Sequence, residues 1–285
     1  MQLFEDILTW GCIYSYALAS VLLLTGFIFN KEKPLKVASW LIMPAFAAHT
    51  VIFVMRWART GYFPANSEFE NALTSGWFAI GFTVYLFLRN RALTGVALFT
   101  VPATLLFLGY GVMKAPDPLP LAASLKSSWL VIHVLFAQLA FGAYVIASGM
   151  GLLYLLKDKK HRSGDVEGFY AKFPRIEVIE ENLFRFVVYG FITEAIMIVA
   201  GAIWAKDLWG SYWGWDPVEV WALVSWLLYG LSIHLKVTLG WKGRRFAWLA
   251  LFLLSTVIIA YWGVDLLVEN TRHIFGVTSM PELMK

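Results

Sequence analysis

Residues 128–156, SWLVIHVLFAQLAFGAYVIASGMGLLYLL, contain no Asp, Glu, Lys or Arg. A helix rises about 1.5 Å per residue, so about 20 apolar residues cross the hydrocarbon core of a bilayer. This stretch has length to spare. Seven others flank it, at about 8–29, 37–57, 71–88, 92–112, 183–205, 218–238 and 246–266, the third being short. None alternates apolar with polar residues in the manner of a barrel strand. Together they predict an all-α polytopic membrane bundle of about eight transmembrane helices.

The composition agrees. Of 285 residues, 59% are hydrophobic and 15% charged, and the mean hydropathy is +0.66. A soluble domain is nearer half apolar and a quarter charged. This excludes a single water-soluble fold, a disordered chain and a nucleic-acid-binding chain. The single cysteine, Cys12, excludes a disulfide framework, a CxxC redox site and a cysteine-rich metal site. Any redox chemistry then needs a bound cofactor or a partner's thiols.

Lys and Arg set the orientation of such a bundle. The loops and helix ends near residues 31–36, 89–91, 157–175 and 236–245 hold 15 of the 23 positive residues. The opposite set (Arg56, Arg59, Lys114, Lys126, Lys206, Arg272, Lys285) holds 7, and Arg185 sits at a boundary. The richer set is expected to be cytoplasmic, with both termini on the outer side. Glu5 and Asp6 precede the first span, where a cleaved signal would be basic, so it is expected to remain as a helix. The outer segments are then 58–70, 113–127, 206–217 and the tail from about 267. The polar stretch 157–182 reads as a cytoplasmic loop with a short surface helix. With no tandem repeat, residues 1–285 are expected to form a single membrane domain with an outer loop at about 204–221.

That loop carries the strongest chemical signal. Residues 204–226 read WAKDLWGSYWGWDPVEVWALVSW and hold six of the fourteen tryptophans. Asp216 is a good N-cap, Pro217 suits the first helical position, and Glu219 completes a capping box before the seventh helix. Tryptophan is also common at membrane interfaces. Neither fact accounts for Trp209, Trp213 and Trp215 crowded around Gly210 and Gly214. Flat indoles on a slim backbone make a shelf for a large planar apolar ligand. Interface anchoring is the alternative.

The tract WGSYWGWDPVEVW (209–221) resembles the WWD signature of the haem-handling membrane proteins of cytochrome c biogenesis. The segments HTVIFVMRWARTGYFPANSEFE (49–70), SSWLVIHV (127–134) and LSIHLK (231–236) are similar in content and order to the CcsA (ResC) branch of the system II cytochrome c synthase. The likeness runs from about residue 45 onward. The related CcmC and CcmF proteins share the tract but differ around it. The resemblance implies haem b as substrate and bound ligand, a CcsB (ResB)-like membrane partner, a reduced CxxCH apocytochrome c and a thiol-reducing partner. It also implies a bacterial inner membrane or thylakoid location, with the chemistry on the periplasmic or luminal side.

Depth sorts the five histidines. His133 lies five residues into the fifth helix, roughly 8 Å below the outer surface, and His273 lies in the outer tail. Two imidazoles on opposite faces of one porphyrin give bis-histidine iron, and the resemblance makes these two the axial ligands of an external haem. The alternatives are an interfacial histidine bonded to a backbone carbonyl and a solvated tail residue. His234 stands 18 residues after the Asp216 cap, about 27 Å away along one helix, so it cannot share that iron. The resemblance gives it an inner haem site completed by the partner subunit. His161 lies in a charged loop and reads as solvated. His49 and Glu194 match in depth, which suggests a hydrogen bond between them, since an intramembrane acid is usually paired or functional. Arg56 is the best placed external cation for a haem propionate. Glu68, Glu70 and Asn71 face the same side with no clear role.

The expected site therefore comprises His133, His273 and His234 as iron ligands, with Trp209, Trp213, Trp215, Asp216 and Trp221 around the ring. The chain shows no nucleophile–base pair, so catalysis would consist of positioning. The reading is covalent haem attachment to apocytochrome c. The alternatives are a haem exporter or chaperone without ligation activity, or a structural subunit. A quinone-reactive b-type cytochrome fits less well, because the five histidines do not pair at two depths.

Overall fold

The computed structural model describes residues 2–114, 126–164 and 169–264. It contains eight long helices: α1 (Gln2–Ile28), α2 (Glu32–Thr60), α3 (Glu68–Arg89), α4 (Ala97–Lys114), α5 (Ser128–Arg162), α6 (Ile176–Trp209), α7 (Pro217–Val237) and α8 (Arg244–Ile258). Each is long and apolar enough to cross a membrane, α4 together with the 3-10 segment Arg91–Val96 before it and α8 with the π turn Ile259–Gly263 after it. Among the described residues there is no strand.

Local chemistry sets the ends. Ser67 opens α3 by accepting from Glu70 N at 3.2 Å, so the helix starts at Glu68, three residues before 71, where the hydropathy run begins. Ser127 opens α5 by accepting from Trp129 N. Gly61 and Gly210 close α2 and α6 in the left-handed region, at φ 74° and 78°, where glycine has no Cβ to clash. The stretch 157–182 is less loop than expected, because α5 runs on to Arg162 and α6 begins at Ile176. Among the described residues of this stretch, a 3-10 turn, Phe169–Lys172, lies where a surface helix was expected. Phe27 of α1 packs on it, stacking on Phe173 at 5.1 Å.

Successive helices run in alternate directions. The starts of α1, α3, α5 and α7 therefore share one end of the bundle, the tryptophan end, with the finishes of α2, α4, α6 and α8. The opposite end is basic. There Lys236 pairs with Glu180, Lys172 with Glu32, and Arg162 and Arg244 with Asp158.

The central element is α5, which packs on α3, α4, α6 and α8. It can do so because its buried half is rich in small residues: Ala140, Gly142, Ala143, Ala147, Gly149 and Gly151. A Cβ on Gly151 would stand 2.9 Å from the Ala247 carbonyl of α8. In lipid, helices are held by such close backbone approach rather than by exclusion of water. The outer surface agrees. On α1, Leu3, Ile7, Trp10, Tyr14, Leu18 and Val21 recur at helical spacing and are all exposed, an apolar stripe that lipid solvates and water would not.

Candidate functional site

The tryptophan loop is held by one carboxylate. Glu219 Oε2 accepts from Gly214 N at 2.8 Å and from Asp216 N at 3.2 Å, while Asp216 accepts from Val218 N at 3.0 Å. The capping box expected from the sequence is present, with Pro217 at the start of α7. Clamping the amides on either side of Trp215 coincides with a φ of 57° at that residue, a region a bulky side chain rarely occupies. Its indole stands outward, 73% exposed.

Beneath the loop lies a cleft of about 120 Å³ between α3, α5, α6, α7 and the π turn after α8. His133, Met197, Gly201, Trp204 and Trp213 are among its lining residues. His133 Nδ1 is 2.8 Å from the carbonyl oxygen of Met197. A carbonyl only accepts, so Nδ1 carries a proton and donates it to this bond. A backbone carbonyl holding one imidazole nitrogen is the usual way a metal-binding histidine is oriented. The ring lies against Gly201, where a Cβ would come within 2.5 Å of Nδ1.

The tryptophans divide into two groups. Trp213 and Trp204 line the cleft, whereas Trp209, Trp215 and Trp221 are not among its lining residues. Trp209 packs edge-on against Trp204 at 5.2 Å, and Trp213 against Trp215 at 5.9 Å. Asp216 is buried in its capping role. His234 is exposed near the basic end of α7, with Thr238 Oγ1 3.3 Å from its Nδ1. His161 is exposed at the end of α5. His273 lies outside the described residues.

One expected pairing is not formed. His49 does not bond Glu194. Its Nε2 donates to the Leu73 carbonyl at 2.9 Å, and its Nδ1 lies 3.3 Å from Tyr16 Oη. Glu194 instead accepts from Tyr144 Oη at 2.6 Å and from Ser225 Oγ. Equal depth does not make helices neighbours: His49 is enclosed by α1 and α3, Glu194 by α5 and α7. Arg56 is likewise unsuited to a propionate. It is buried, with its guanidinium bonded to Glu5 at 2.8 Å and Glu70 at 3.0 Å. Glu5 also binds Arg59 at 2.8 Å. This cluster ties α1, α2 and α3 together at the tryptophan end. Beside it, burial and then the Glu70 carboxylate push the Tyr62 hydroxyl above its ordinary range, which keeps it a donor.

The cleft also has polar residues that the sequence reading left without a role. Asn71 and Gln138 both line it and are joined at 2.6 Å. Gln138 was visible as the one amide inside the charge-free run of α5, a position where polarity in a membrane is usually functional. The Met197 carbonyl and the bare Cα of Gly201 left no signal of their own.

Comparison with known proteins places this architecture. A family model described as cytochrome C assembly protein matches residues 11–271. The chain belongs to the cytochrome c assembly protein family. Within it, the chain is 34% identical over 248 residues to the cytochrome c biogenesis protein CcsA of Guillardia theta, covering 80% of this chain and 81% of the relative. It is 32% identical over 285 residues to the CcsA of Synechococcus sp. (strain CC9311), covering 88% and 93%. Among solved structures, cytochrome c haem lyase CcmF superposes with a TM-score of 0.68 at 19% identity, over 93% of this chain. The chain spans about half the length of that structure, 49%, and the likeness speaks to the fold. Membership of the CcsA group, with eight apolar helices, makes this an integral membrane protein of cytochrome c maturation.

Proposed function

We propose that the chain holds haem b at the tryptophan end of the bundle and presents it for covalent attachment to a reduced CxxCH apocytochrome c, as the CcsA half of a synthase completed by a CcsB-like membrane subunit. The observation that carries this reading is the His133–Met197 contact: it orients the imidazole of His133 as an iron ligand in a cleft walled by Trp204 and Trp213. His273 is the second axial ligand in this reading. The cleft is smaller than the about 300–1,000 Å³ of a typical ligand pocket, so binding a whole porphyrin requires it to widen. Trp209, Trp215 and Trp221 then cover the ring.

The tryptophan end faces the periplasm or lumen in this reading, because the opposite end carries most of the Lys and Arg. His234 sits at that opposite end and would share a second haem with a partner histidine. The chemistry at the outer site is addition of each cysteine S–H across a haem vinyl group, so no oxidant is consumed and a reductant is needed only to keep the thiols reduced. The protein contributes register between vinyl and thiol and bis-histidine protection of the iron.

The test is a spectrum of the full chain purified with its copurifying subunit. Bis-histidine absorption bands are expected, weakened in His133→Ala and His273→Ala and restored by added imidazole. Normal bands and normal cytochrome assembly in both variants would discard the ligand assignment. Thioether product formed from only this complex and apocytochrome separates a synthase from a haem exporter or chaperone.

A further inference from the structure

We infer that Asn71 is the specificity residue of the cleft, a neutral donor that recognises a carboxylate on the ligand's edge. The inference rests on the haem reading above and names the part of the haem, a propionate, that this wall would take.

The argument is one of hydrogen-bond direction. Ser75 is fully buried, and its hydroxyl donates to Gln138 Oε1 at 2.5 Å. The Gln138 amide turns its other end to α3, and its Nε2 donates to Asn71 Oδ1 at 2.6 Å. Asn71 accordingly turns its oxygen toward Gln138. Its Nδ2 carries two N–H groups and has no acceptor among the described residues. The series starts on a buried serine and ends as a donor on a residue that lines the cleft.

The rest of the wall favours an acceptor there. Among the described residues no Lys or Arg lines the cleft. Arg56, the nearest candidate by sequence, is engaged by Glu5 and Glu70. Glu219, the one acidic residue among the described lining residues, holds the tryptophan loop through its Oε2. Trp213 offers a buried Nε1–H that has no partner. A donor without a partner gains most from an ionised acceptor, whose hydrogen bonds are shorter and stronger than neutral ones. A flat apolar ligand with carboxylates on one edge meets both demands of this cleft.

The test exchanges one functional group. Asn71→Asp keeps the oxygen that accepts from Gln138 and replaces the donor end by a second oxygen. The full chain, purified in detergent with its copurifying subunit, is titrated with iron protoporphyrin IX and with its dimethyl ester, following the Soret band. The wild type is expected to bind the acid about tenfold or more tightly than the ester, the size of a hydrogen bond to a charged group. In Asn71→Asp that preference should vanish or reverse. An acid-to-ester ratio unchanged by the substitution overturns the inference. So does a wild-type ratio near one, a measurement that needs no variant. If haem binds through His133 but the ratio does not move, only the inference falls. If the wild type binds neither porphyrin, the haem reading falls and takes the inference with it.

Discussion

The imidazole of His133 rests on the bare Cα of Gly201, one helical turn beyond the Met197 carbonyl that receives its Nδ1 proton. Helix α6 therefore both aims the ring and leaves room for it, and a change on α6 should act on α5.

Gly201→Ala places a methyl group within 2.5 Å of Nδ1, so the ring must turn or the helices must part. Haem affinity is expected to fall about tenfold to a hundredfold, the usual effect of disturbing a group that orients a ligand, although His133, the proposed iron ligand, is itself untouched. Soret titration reads this directly, and an affinity equal to wild type would refute the positioning role.

Trp215 is held at φ 57° with its side chain 73% exposed. Glycine adopts that conformation without the cost of about 1–2 kcal/mol borne by other residues, and little packing is lost with an exposed indole. Trp215→Gly should melt at or above the wild-type temperature in detergent while haem attachment declines. Trp213→Gly, which opens the cleft wall, should melt lower. Equal losses of stability in the two variants would contradict the assignment of Trp215 to function.

The Arg56 cluster gives a different expectation. Arg56→Ala leaves Glu5 and Glu70, both buried, without the guanidinium that joins them. Breaking a buried ion pair by removing one partner costs about 3–5 kcal/mol. The variant should be recovered in low yield or with a sharply lowered melting temperature. Arg59→Ala removes a side chain that is 22% exposed and should be milder. An Arg56→Ala protein as stable as wild type would show that the cluster does not hold α1, α2 and α3 together.

Glu194 reads as a structural junction. Glu194→Gln retains the size and polarity needed to bond Tyr144 and Ser225, and should leave both melting temperature and haem occupancy unchanged. Glu194→Leu leaves the Tyr144 hydroxyl buried without its acceptor, at a cost of about 1–3 kcal/mol. Ser225 retains the Ala222 carbonyl at 2.9 Å. Loss of haem binding in Glu194→Gln at normal stability would instead give this acid a functional role.

The capping box at Asp216 and Glu219 is legible in the sequence, because it depends on residues three apart on one turn. What the same Glu219 does to Gly214 was not, since reaching back five residues depends on how the loop folds over the helix start. The tryptophan tract was legible as a cluster but not as a division between Trp204 and Trp213 in the cleft wall and an outward Trp215. Asn71 and Gln138 lie 67 residues apart, and only the packing of α3 on α5 makes them one unit.

From its sequence alone this chain is a bundle of membrane-crossing helices, because in lipid the backbone must satisfy its own hydrogen bonds and a run of about 20 apolar residues has few other solutions. Sequence also ranks side chains by depth, since position along a helix is a simple count. Tertiary structure decided which helices are neighbours and which way each face turns. It separated His49 from Glu194, gave Arg56 to two carboxylates and turned His133 onto the Met197 carbonyl. Azimuth and adjacency arise from small-residue contacts between helices far apart in the chain, and no count along one helix contains them.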